Sequence, residues 1–151
     1  MSTNAFDLSE MARIVGMSAT KAKNWTSGRP FKLAASIMQA SGRGKSNIYS
    51  LNDLYLMAVA EEFSRAGLAA KAIGRLLEAL QKGFPNGIAE VSKLTVWREQ
   101  HESQGQRLKF HVLSDRDRPG SKSAQVWHQL DVKGLVKRLE KAIELVREGK
   151  V

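Results

Sequence analysis

The 151-residue chain has no cysteine, which excludes a disulfide framework, thiolate metal sites, iron–sulfur clusters and a cysteine nucleophile. Histidine is scarce. His101, His111 and His128 are the only ones, and no third ligand at a useful spacing accompanies His111 and His128, so neither a metal nor another cofactor is expected. No run of about 18 apolar residues occurs, and the start MSTNAFDLSEMARIVG has no apolar stretch behind a basic one, so a cytoplasmic protein is expected. Gly42–Ser46 reads GRGKS without the G-x-x-x-x-G-K-[ST] spacing of a phosphate loop. With no nucleophile–base pair and no paired carboxylates in an apolar setting either, an enzyme is not expected. The 42% hydrophobic content is ordinary for a folded chain, and the length suits one domain or two small modules.

Acidic residues are also missing, and in one place. Lys and Arg number 24 against 15 Asp and Glu, a formal charge of +9, which fits a polyanionic partner. Between Glu10 and Asp53 there is no acid at all, while Arg13, Lys21, Lys23, Arg29, Lys32, Arg43 and Lys45 all fall there. Such an interval is either a solvated basic surface or the footprint of a polyanion.

Two short helices are expected inside it. Leu8, Met11, Ala12 and Val15 fall at i, i+3, i+4 and i+7, with Asp7 or Ser9 as cap and Gly16 as stop. Ser18 then caps a second helix, Ala19–Trp25, which ends before Gly28 and Pro30. Two helices joined by a glycine turn form a helix-turn-helix. The second helix groups Thr20, Lys21 and Asn24 on one side with Lys23 at the flank, types suited to base edges and phosphates, while Ala22 and Trp25 turn inward. A basic loop with Arg43 between two glycines and Lys45 beyond leads to Asn47 and Tyr49. Tyr49 can both pack its ring and offer its hydroxyl to a phosphate. Ser50–Asp53 opens a third helix with Leu51, Leu54, Ala58 and Phe63 inward, and Leu68–Leu80 supplies a fourth with Ile73, Leu76, Leu77 and Leu80 as its apolar face.

The order helix, tight turn, helix, basic wing, Tyr49-Ser50-x-x-Asp53-Leu54 and a two-helix tail resembles the winged helix-turn-helix domain of MerR-type regulators over about residues 6–82. The resemblance implies a sequence-specific transcription regulator of double-stranded DNA, bacterial or phage and nucleoid-associated. It would act as a homodimer with one recognition helix per half-site in the major groove. Carried over by position, Ser18, Thr20, Lys21, Lys23 and Asn24 would be recognition-helix contacts, and Arg43, Lys45, Asn47 and Tyr49 wing contacts. Charge alone adds Arg29 and Lys32. Two alternatives stand beside this reading. One is an architectural or excisionase-like factor that bends DNA in recombination. The other is an adaptor for RNA or protein, for which only Trp25, Phe31 and Tyr49 are interleaved with the basic stretch.

Phe84-Pro-Asn-Gly87 breaks the pattern and divides the chain into a DNA-binding domain, 1–82, and a dimerisation or effector module, 83–151. Leu94 and Val96, then Leu108, Phe110 and Val112, then Val126–Leu130 alternate as a small antiparallel sheet. Trp97, Trp127 and Phe110 would make its core or line a small-molecule pocket. One helix closes the chain from Val132 to Glu148, capped by Asp131, with an apolar seam at Val132, Leu135, Leu139, Ile143 and Val146. Its lysines come early and its glutamates late, against its own dipole. An antiparallel second copy would offset that loss, so the seam is expected either to join two copies or to cover the chain's own sheet. The fold class expected is α+β: a winged helix-turn-helix, a small antiparallel sheet and a C-terminal dimerisation helix.

Overall fold

A computed structural model describes residues 5–28, 33, 47–101, 107–113 and 125–149, with the side chains of 90 and 96–127 left aside. Within them the chain is α+β, with five α-helices and two small antiparallel sheets. The loop cations Arg29, Lys32, Arg43 and Lys45 lie outside the described residues.

β1 (Ala5–Phe6) pairs antiparallel with β2 (Tyr49–Ser50) and holds the start of the chain beside the third helix. α1 (Leu8–Val15) opens on a reciprocal cap: Asp7 accepts the Glu10 N–H while Glu10 reaches back to the Asp7 N–H. Its buried residues are Met11, Ala12 and Ile14, with Leu8 and Val15 half-buried. The stripe is therefore rotated from the one expected, because α1 packs on three other helices at once. α2 (Ala19–Ser27) follows, two residues longer than its sequence pattern suggested.

α3 (Leu51–Arg65) departs most from expectation. Its start has the expected reciprocal cap between Ser50 and Asp53. A one-sided helix was expected, yet ten of its fifteen residues are buried, including Tyr55, Met57, Val59 and Ala60 outside the expected stripe. A helix apolar all round belongs in the centre of a core, and other elements pack around this one. α4 (Ala70–Gly83) buries the four side chains expected, Ile73, Leu76, Leu77 and Leu80.

The break at Phe84–Gly87 ends α4, but the apolar core runs on across it through Ile88, Val91 and Leu94. Gly87 stands at φ 110 and ψ 152, a region open essentially to glycine alone. A Cβ there would lie 3.3 Å from Asn52 Oδ1, the oxygen that accepts the Ile88 N–H at 3.0 Å. The turn is thereby bonded to the first turn of α3.

β3 (Lys93–His101), β4 (Arg107–Leu113) and β5 (Gln125–Asp131) form the second sheet in the order β4-β3-β5, antiparallel throughout. Val96 faces His128 and Trp97 faces Val126, so Trp127 is the extra residue of a bulge. The His128 ring meets Phe63 of α3 edge-on at 5.2 Å, which seats the sheet on the central helix. Asp131 caps α5 (Val132–Arg147), whose first N–H groups reach Ser92 O. α5 packs against α1 and α3. Val132, Leu135, Leu139 and Val146 are buried and Ile143 half-buried in that packing. The seam expected either to join a second copy or to cover the chain's own sheet packs within the chain against α1 and α3.

Candidate nucleic-acid interface

Backbone chemistry sets the angle between α1 and α2. Gly16 takes the left-handed conformation at φ 81, and both its N–H and that of Met17 return to Ala12 O. Ser18 accepts the Lys21 N–H at 3.1 Å and starts α2 after a three-residue turn. Gly28, at φ 97, ends it. Beyond it, Leu33 is buried and its N–H donates to Trp25 O at 2.8 Å.

Two faces of α2 differ sharply. Ala22, Trp25 and Thr26 are buried, and the Thr26 hydroxyl is bonded to Ala22 O and Lys23 O. Ser18, Thr20, Lys23 and Ser27 are exposed and Asn24 is half-buried. Thr20, Lys23, Asn24 and Ser27 fall within one arc of the helix, polar throughout and without an acid. Ser27 was missed from sequence because the helix was expected to stop at Trp25; its hydroxyl-bearing type one turn beyond Lys23 was the available signal.

Lys21 faces elsewhere. Its Nζ lies 2.7 Å from Glu61 Oε2, donates to Ser64 Oγ at 3.3 Å and sits 4.7 Å from the centre of the Trp25 ring. Glu61, on α3, is 6% exposed and also accepts from Arg65 Nε at 3.0 Å. Arg65 in turn donates to Gly16 O at 3.2 Å, in the turn between α1 and α2. One buried carboxylate therefore ties α2 and the turn before it to the central helix. The Lys21–Oε2 approach is off the hydrogen-bond direction, so attraction between charges carries it.

Tyr49 is 1% exposed, and its hydroxyl accepts from Asn47 Nδ2 at 3.2 Å. Of the packing and phosphate roles open to it, the structure provides the first. Asn47 is half-buried beside it. Of the five apolar residues named for dimerisation, all on α5, four are buried in the core and Ile143 is half-buried against it. A scan of protein-family models matches none to this chain, and a search of curated proteins yields no match.

Proposed function

We propose that the chain binds double-stranded DNA sequence-specifically as a transcription regulator, presenting the Thr20, Lys23, Asn24 and Ser27 arc of α2 to the major groove. The observation that carries this reading is the split of α2 into a buried apolar face and an acid-free polar face, on a helix clamped by Glu61 and Arg65. A rigid helix lowers the ordering cost of binding, and Lys, Asn and Thr suit base edges and phosphates. The resemblance to MerR-type regulators over residues 6–82 supports the same assignment. Lys21 enters it as a positioning group, since its ammonium is held by Glu61.

Selection of bound sequences from a random duplex library tests the proposal. Enrichment of a defined site is expected, and Asn24→Ala should weaken that site more than random DNA. No enrichment would reject sequence reading. One observation favours the second reading, an excisionase-like bending factor: the α5 seam is buried at home, and a bending factor needs no two-fold partner. An enriched inverted repeat reports two copies on the site, and a single half-site reports one.

A further inference from the structure

A cleft of about 570 Å³ lies between the first turns of α3 and the second half of α5, within the size range of small-molecule sites. Its floor is apolar, made by Leu51, Tyr55 and Ile143, and its rim carries Glu140, Glu144 and Glu148. These carboxylates recur every four residues on α5 and so line one edge. The negative end of the α5 dipole adds to their potential, while at the start of α3 the Ser50 and Asp53 N–H groups are engaged by the cap.

Arg147 also lines the cleft, but its guanidinium is engaged by Ala5, Phe6 and Glu10. The guanidinium carbon is 4.6 Å from the centre of the Phe6 ring, Nη2 donates to Ala5 O at 2.9 Å, and Nε is 3.7 Å from Glu10. Glu140 and Glu144 form no ion pair among the described residues. Lys137 and Lys141 stand on the same helix, exposed, without reaching them.

The second observation is independent of that charge. Tyr55 is 4% exposed as a residue, and its hydroxyl makes no hydrogen bond among the described residues but is not sealed from solvent, so it is accessible to a ligand. Burial, and then the charge of Glu140, raise the Tyr55 pKa above its ordinary value, so the phenol stays a neutral donor and acceptor. It belongs to the lining of the cleft.

We propose that this cleft binds a primary organic amine with a compact apolar body. The ammonium sits between Glu140, Glu144 and the Tyr55 hydroxyl, and the hydrocarbon rests on Leu51 and Ile143. A bare metal ion fits less well, because no group of three metal-ligating side chains occurs among the described residues and half of the lining is hydrocarbon.

Isothermal titration of the full-length chain with 2-phenylethylamine, 2-phenylethanol and 3-phenylpropanoate tests this at about 50 mM salt, where screening is modest. The amine should bind with a Kd on the order of 1 mM or tighter, and the alcohol and the carboxylate at least about tenfold more weakly. Glu144→Gln and Tyr55→Phe should each weaken the amine about fivefold or more, with far-ultraviolet circular dichroism unchanged. Equal affinity for the alcohol, or no amine binding at about 10 mM, would overturn the proposal. So would a dimer in sedimentation that Glu144→Gln dissociates, since a second copy's lysine would then be the occupant.

Discussion

Lys21 shows how one residue type admits two roles. On a helical wheel it stands beside Thr20 and Asn24, and a lysine there suits a phosphate or a guanine edge equally well. Its partner, Glu61, lies forty residues away on another helix and is buried. Replacing Lys21 with Met keeps an apolar stem over Trp25 while leaving the carboxylate with Arg65 alone. A loss of about 1–3 kcal/mol is expected, read as a lower midpoint in urea, whereas a lysine acting only on DNA would leave the midpoint unmoved. Tyr55 gives a second prediction at this scale, in pH. Its raised pKa means that the unfolded chain ionises first, from the ordinary phenol value of about 10. Its contribution is constant below that pH and falls as pH climbs toward the folded value. The other charged groups around the cleft are Glu140, Glu144, Glu148 and Arg147. Tyr55→Phe should therefore lose less stability between pH 10 and 11.5 than the parent chain, and parallel alkaline denaturation curves would contradict the shift.

The elements are governed by short-range signals, and these were largely legible. Asp7, Ser18, Ser50 and Asp131 cap the helices that follow them, and Gly16 and Gly28 end two of them in left-handed conformations. Each of these signals acts within four residues, which is why the sequence displays it. The burial of α3 on nearly every face was not legible, because Leu51, Leu54, Ala58 and Phe63 make a sufficient stripe by themselves. Only the elements packed around α3 explain why Tyr55, Met57 and Val59 are also apolar. Gly87 belongs to this scale too. Any side chain there meets both a forbidden backbone region and Asn52. Gly87→Ala should cost about 1–3 kcal/mol in urea denaturation; a loss under about 0.5 kcal/mol would mean that the turn relaxes at little cost.

At the scale of the molecule, α5 decides most. Its four buried side chains, Val132, Leu135, Leu139 and Val146, lie in the core shared with α1 and α3. Each such burial contributes about 1.5–3 kcal/mol, against a total stability of about 5–15 kcal/mol for a typical domain. A chain ending at Leu130 should therefore lose cooperative unfolding altogether, including the signal of Trp25 in α2. A folded 1–130 monomer would show that α1 and α3 do not depend on α5. The same scale governs stoichiometry on DNA. If one copy neutralises about 4–6 phosphates, the log–log salt slope should be about −4 to −5, and two copies would double it.

What the sequence determined by itself was the set of elements and the position of the acid-free interval, because caps, glycine stops and helical or alternating periods are properties of neighbouring residues. It also determined that α2 has one apolar and one polar face. The partner of each apolar or charged group was decided only in the tertiary structure. The α5 stripe has the same 3–4 residue spacing whether it meets a second copy or its own α1 and α3, and a lysine is equally charged beside a phosphate or beside Glu61. Periodicity specifies that a face must be covered; only packing in three dimensions specifies by what.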